Sequence, residues 1–237
     1  MTTRRIGILG GAFDPIHWGH LEAGFAAETS LDLVRMLVIT ANVPPHRPQP
    51  HASSYHRFAM VALAVAGRAG WRAADLELRD NAPSYTSATL QKFHKRGYDP
   101  AELFFVLGTD AFAEIAGWHD YPAILDFAHF AVVARPGFPI DDVPHRLPLH
   151  ASRMARPPLG AAALVDPHIL LIDAPTADVS STAIRDRCAR GESIDGLVPD
   201  GVRQHIEQHG LYTSIAPGRR PGDRSPGSAA GRLHGQD

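Results

Sequence analysis

Ile6-Gly7-Ile8-Leu9-Gly10-Gly11-Ala12-Phe13-Asp14-Pro15-Ile16-His17-Trp18-Gly19-His20 opens with a short, mostly apolar run that stops at a glycine pair. Ile6 to Leu9 therefore reads as a buried strand. Leu21 and Phe25, one turn apart, predict a helix over His20 to Leu31, with Gly24 as its weak point. Val34 to Thr40 is a second β-rich apolar run. Strand, helix and strand fit within about 35 residues, the length of one βαβ unit.

The rhythm continues outward. Helices are predicted at Tyr55 to Ala69, Ser87 to Arg96, Ser181 to Arg190 and Val202 to His209. Strands are predicted at Trp71 to Leu78, Leu103 to Leu107, Phe130 to Ala134 and Ile169 to Ile172. Such alternation implies an α/β, Rossmann-like, doubly wound parallel sheet with helices on both faces and a small helical part towards the C-terminus. Arg135 to His168 is proline-rich and weakly periodic, so it reads as a long connection with one helical piece at most. Residues 1–215 form one expected domain. Residues 216–237, rich in Gly, Pro, Arg and Ser, form an expected disordered tail, because almost nothing apolar there can offset ordering entropy.

In open parallel sheets, ligands bind beyond the C-terminal strand ends. Gly10 and Gly11 sit at such an end, where glycine lets a ligand approach the main chain. Ala12 and Phe13 continue the loop, and Asp14-Pro15 fixes its course. The next helix starts near Trp18-Gly19, and its free N–H groups favour phosphate. His17 and His20, three apart, can project to one side of that helix start. Two imidazoles there suit a polyphosphate. They also suit a metal, though no third ligand is evident nearby, or a loop cap. No G-x-x-x-x-G-K-[ST] and no G-x-G-x-x-G occurs, so P-loop hydrolysis and hydride transfer lose their main support.

This stretch resembles the signature G-G-x-F-D-P-x-H-x-G-H of the nucleotidyltransferases with an H-x-G-H motif. In that superfamily the two histidines, here His17 and His20, contact ATP phosphates and stabilise the transition state. A second segment, Val179-Ser180-Ser181-Thr182-Ala183-Ile184-Arg185, opens a helix. Its hydroxyls can cap the helix or donate to phosphate, and Arg185 lies one turn in. It resembles the superfamily's S-[ST]-[ST]-x-[IV]-R signature, which implies that Ser180, Ser181, Thr182 and Arg185 close over an ATP triphosphate. Mg²⁺ accompanying ATP is implied with it.

The middle of the chain narrows the acceptor. Asn42-Val43-Pro44-Pro45-His46-Arg47 follows the second strand, and Arg47 offers a phosphate cation. Ser84-Tyr85-Thr86 precedes a helix and offers hydroxyls and N–H groups to a second anion. Gly108-Thr109-Asp110 follows the Leu103 strand, and Trp118 offers a flat ring for stacking. Singly, each has a plain structural reading as turn, core residue or cap. Jointly they resemble bacterial nicotinate-nucleotide adenylyltransferases, which show P-P-H-[KR], S-Y-T, G-x-D and a later Trp in this order. The resemblance implies that nicotinate mononucleotide stacks on Trp118 beside Tyr85 and Thr86. Its carboxylate would meet N–H groups near Ser87 and His119. Gly108 and Asp110 would line the adenosine site. Ala12 departs from the family's commoner Thr or Ser, and Arg47 from its frequent Lys. The rival readings are a sister enzyme using nicotinamide mononucleotide or phosphopantetheine, and a nucleotide-binding regulator without turnover.

Bulk properties bound the rest. The chain has 237 residues, 44% of them hydrophobic, and a formal net charge of −2. It can bury a core without staples, and no global basic field draws in nucleic acid. The solvated reading of the arginine-bearing tail is preferred to a nucleic-acid arm. Cys188, the sole cysteine, reads as a packed thiol. No run approaches the ~18 apolar residues of a membrane span, and the N-terminus lacks a signal-peptide core. A cytoplasmic protein with no membrane partner is expected. Homo-oligomerisation is compatible with the sequence.

Overall fold

The computed structural model of the chain describes residues 4–45, 49–79, 82–160 and 164–213. Seven strands form one sheet: β1 (Ile6–Gly11), β2 (Arg35–Thr40), β3 (Trp71–Ala74), β4 (Leu103–Gly108), β5 (His129–Val133), β6 (Met154–Ala155) and β7 (Ile169–Ile172). Their order is β3-β2-β1-β4-β5-β7-β6, and every pairing is parallel. The helices are α1 (Trp18–Leu31), α2 (Ser54–Val65), α3 (Thr86–His94), α4 (Thr109–Phe112), α5 (Val143–Arg146), α6 (Ser181–Ala189) and α7 (Asp200–Gln208).

The strands alternate between two cores. Phe104, Val106, Ala131, Val133, Leu170 and Ile172 belong to the core shared with α1, α2, α6 and α7. Leu103, Phe105, Leu107, Phe130, Val132, Ile169 and Leu171 belong to the other, with Leu90 and Phe93 of α3. This period of two, with both faces apolar, is the signature of a sheet covered on both sides. The doubly wound expectation is met.

The chain winds outward from β1 to β3 and then crosses back to β4 on the other side of β1. That reversal opens a crevice beyond the C-terminal ends of β1 and β4. Gly10-Gly11 and Gly108 end those two strands.

Gly24 sits in α1 for a packing reason. A Cβ there would lie 2.4 Å from the Trp71 indole. That indole is buried and donates to Glu28 Oε1 at 2.9 Å, tying β3 to α1.

Three elements differ from the sequence expectation. α2 stops at Val65, before Gly67, which turns the chain at φ 77°. β3 ends at Ala74, where Asp75 engages Arg79 in a two-armed ion pair within a turn. The 135–168 stretch is more ordered than a simple connection. It carries α5, 3₁₀ turns at Ile140–Asp142 and Pro148–Arg153, and the two-residue edge strand β6 paired with β7. The expected tail, residues 216–237, lies outside the described residues.

Candidate active site

The β1–α1 loop is built to be rigid. Phe13 adopts φ 51°, an uncommon conformation for a residue with a side chain. Burial of its ring and an edge contact with His20 at 5.1 Å hold it there. The Asp14 carboxylate is buried and accepts from the backbone N–H groups of His51 (2.7 Å) and Ala52 (3.0 Å) and from the Tyr212 hydroxyl (2.9 Å). Burial and the neighbouring Asp14 push the Tyr212 phenol well above its ordinary range, so it stays a donor.

Arg57 clamps the same loop from α2. It donates to the carbonyls of Ala12 and Ala41, each at 2.6 Å, and of Ala52 and Asn42, each at 3.2 Å. Its guanidinium is almost fully buried. Five N–H donors in a planar fork let one side chain satisfy carbonyls from the loops after β1 and β2.

The two sequence motifs meet. Ser181 Oγ donates to the Pro15 carbonyl at 2.9 Å, and Arg185 Nη1 donates to the Asp14 carbonyl at 2.8 Å. Arg185 Nη2 also donates to Thr182 Oγ1 at 3.2 Å. Ser180 caps α6 by accepting from the Ala183 N–H at 3.1 Å. The N-termini of α1 and α6 therefore adjoin, each with orphan N–H groups and a positive dipole end.

His17 is the N-cap of α1 and is 2% exposed. Its N–H donates to His20 Nδ1 at 3.3 Å, which leaves Nε2 as the protonated nitrogen of a neutral His20. The two rings lie 3.7 Å apart between centroids. His17 Nδ1 is buried with no hydrogen-bond partner among the described residues. Burial, with Arg135 assisting, lowers its pKa from 6.5 to about 3. His17 is thus a neutral imidazole at neutral pH.

Arg135 is the basic residue that sequence reasoning missed. It follows β5 at the same sheet end and donates to the Val179 carbonyl at 3.1 Å. Glycine makes room for it on both sides. A Cβ on Gly19 would lie 2.4 Å from Arg135 Nη1 and 3.0 Å from the Ala177 carbonyl oxygen. A Cβ on Gly108 would lie 2.7 Å from Arg135 Cγ and 2.4 Å from Asp110 Oδ1. Position after a central strand was a signal for Arg135, masked by the prolines that follow. Arg57 and Tyr212 carried no local signal, because their partners are distant in sequence.

Across the switch point lies a second polar cluster. Ser84 Oγ accepts from the N–H groups of Asn42 (2.9 Å) and Val43 (3.4 Å), joining the loops after β2 and β3. Burial raises the pKa of Glu77, against hydrogen bonds from Thr89 and Ser84. Tyr85 caps α3 and stacks on His119 at 4.3 Å between centroids. Ser87 is buried with its Oγ 3.3 Å from His119 Nδ1, and Thr86 opens the helix. Trp118 packs edge-on against Phe105 at 6.0 Å and is half-buried. Tyr85, Thr86, Ser87 and His119 are thus one cluster, with Trp118 next to His119 in the chain. Asp110 stands in the first turn of α4, which Gly108 caps. Arg47 lies outside the described residues.

Residues 8–187 match the cytidylyltransferase-like family model. The nicotinate-nucleotide adenylyltransferases of Salmonella typhi and Salmonella typhimurium are each 39% identical to the chain, covering 86% of it and 97% of their own length. The chain belongs to the nicotinate-nucleotide adenylyltransferase family.

Solved structures of Plasmodium falciparum nicotinic acid mononucleotide adenylyltransferase, complexed with NaAD and with APC, share the fold. Their TM-scores are 0.64 and 0.62 at 20% and 19% identity, and each match covers 88% of this chain and 97% of that one. The cytidylyltransferase-like match takes in both signature motifs and ends inside α6. α7 and Tyr212, which closes on Asp14, lie beyond it. Among the described residues no helix is long and apolar enough to cross a membrane.

Proposed function

We propose that the chain transfers the adenylyl group of ATP to nicotinate mononucleotide, giving deamido-NAD and pyrophosphate. The observation that carries this reading is the junction of the two motifs, with Ser181 and Arg185 bonded to the carbonyls of Pro15 and Asp14. That junction supports a shared phosphate site built from two helix N-termini, His17, His20, Arg185 and Arg135.

The nucleophile is a phosphate oxygen of the mononucleotide, which is already anionic. It attacks the α-phosphorus of ATP, and the bond to the bridging oxygen of pyrophosphate breaks. No protein nucleophile or strong base is required. The chain's contribution is positioning and stabilisation of charge. Gly10, Gly11, Ala12 and Phe13 give the phosphates a close approach to main chain. His17 Nδ1 and His20 Nε2 face the transferring phosphate. Ser180, Ser181, Thr182 and Arg185 hold the leaving pyrophosphate, with Arg135 and Arg47 as further cations. Gly108 and Asp110 line the adenosine end.

Mg²⁺ enters with ATP as part of the substrate and neutralises some of its charge. The donor set fits that arrangement. The Asp14 carboxylate is engaged by His51, Ala52 and Tyr212, so it is a structural anion, while Asp110 stands at the crevice.

The acceptor occupies the α3 side. Trp118 and Tyr85 offer rings to the pyridine. The N–H groups opening α3, with Thr86, Ser87 and His119, offer donors to its carboxylate. Such donors favour the acid over the amide. Pyrophosphate release measured side by side with nicotinate and nicotinamide mononucleotides tests this. Higher kcat/KM with the acid is expected, and a preference for the amide would overturn the acceptor assignment.

A further inference from the structure

Fourteen histidines are scattered through the chain, and three of them converge away from the nucleotide crevice. His56 lies in the first turn of α2, His205 lies in α7, and His209, four residues on, is the residue that caps the C-terminus of α7. We propose that these three residues form a binding site for a divalent transition metal, with Zn²⁺ the best chemical match, at the seam between α2 and α7.

The geometry is close to that of a bound ion. One ring nitrogen from each histidine falls within 4.8 Å of the other two. His56 Nδ1 and His205 Nε2 are 3.1 Å apart. Tetrahedral zinc, with bonds of about 2.0–2.1 Å, separates its ligand nitrogens by about 3.3 Å. The rings crowd one another, with centroids 5.3, 4.9 and 4.4 Å apart. His205 and His209 have the i, i+4 spacing by which one helix face supplies two zinc ligands. Val202 and Ile206 anchor α7 in the core, which fixes that face towards α2.

The chemistry selects the metal class. Three imidazoles and no carboxylate suit Zn²⁺, Cu²⁺ or Ni²⁺ rather than Mg²⁺ or Ca²⁺. Ligation needs neutral rings, and burial together with His209 and His56 lowers the pKa of His205. His209 is exposed, so an ion and a fourth, water ligand have access.

A metal here would pin α7 to α2. Both elements continue into the cradle of Asp14. The Ala52 N–H lies just before α2, and the Tyr212 hydroxyl lies just after α7. The site is therefore a structural staple behind the phosphate loop, and the proposal stands whether or not the acceptor assignment does.

The test uses untagged full-length protein stripped with a chelator. Titration with Co²⁺ should give one equivalent per chain, with the visible d–d bands of a four-coordinate site, displaced by Zn²⁺. Zn²⁺ should also raise the Tm of the wild type. His209→Gln, an exposed position, should fold normally by circular dichroism and bind Co²⁺ at least ~10-fold more weakly, and His205→Gln combined with it should abolish the bands and the Tm rise. Wild type without stoichiometric bands, or a double variant that binds as wild type does, would overturn the proposal.

Discussion

Gly19 has no side chain because Arg135 and the Ala177 carbonyl occupy the space. Gly19→Ala should displace Arg135 and lower kcat/KM by about 10²-fold, the scale of a misplaced catalytic contact, with little change in Tm. Steady-state kinetics beside a melting curve checks this, and unaltered kinetics would free Arg135 from the site. His20→Ala should lower kcat by roughly 10²-fold or more if it stabilises charge at the transferring phosphate. Normal turnover by a folded variant would remove His20 from the mechanism. His17 makes a prediction about acid. Its unfolded imidazole titrates near 6.5 and its folded one at about 3. Between those values the unfolded chain binds the extra proton, so stability falls as pH drops through that window. His17→Gln removes that share, and its urea midpoint should fall less steeply from pH 7 to pH 4 than that of wild type. Equal slopes would contradict the buried neutral imidazole. The histidines were legible in the sequence because they sit inside one contiguous motif. Arg135 was not, because its partners Gly19, Gly108 and Val179 come from three other segments.

α2 is more than a cover for the sheet. Through Arg57 it holds the loops after β1 and β2 together, and burial pulls that guanidinium below its ordinary range against the attraction of Asp14. Arg57→Met should leave four carbonyl oxygens without this donor and cost about 3 kcal/mol in urea denaturation. A loss within experimental error of zero would show that water substitutes for it. Strands whose apolar runs are bounded by glycine or polar residues, β1, β4 and β7, were readable within two residues. Helix and strand ends were less so, since Gly67 and the Asp75–Arg79 pair terminate α2 and β3 through local geometry. β6 has two residues, too few to show any period, and it exists only because β7 offers an edge. Likewise the Ser84 bridge between the loops after β2 and β3 is a tertiary contact with no trace in local pattern.

At the scale of the whole molecule, strand order turns separate motifs into one site. Gly10-Gly11 and Gly108 face each other only because β1 and β4 are neighbours. The Ser180–Arg185 segment reaches the same crevice because α6 follows β7 and packs Ile184 into the core beside α1. The alternating pattern foretold the layers and the parallel sheet, and the two signature motifs, far apart in the chain, meet in the fold. Neither foretold the clamp from Arg57, the closure by Tyr212 or the histidine cluster on α7, which depend on residues far apart in the chain. If residues 216–237 take no part in the proposed reaction, a chain ending at residue 215 should keep the full-length kcat and KM. Loss of activity by a folded truncation would assign the tail a role. The most direct test of adenylyl transfer follows label from ATP with the enzyme, Mg²⁺ and nicotinate mononucleotide. Label on the α-phosphate should appear in the dinucleotide, and label on the γ-phosphate should appear in pyrophosphate. Retention of the α-label in ADP, or release of γ-label as inorganic phosphate, would contradict the account.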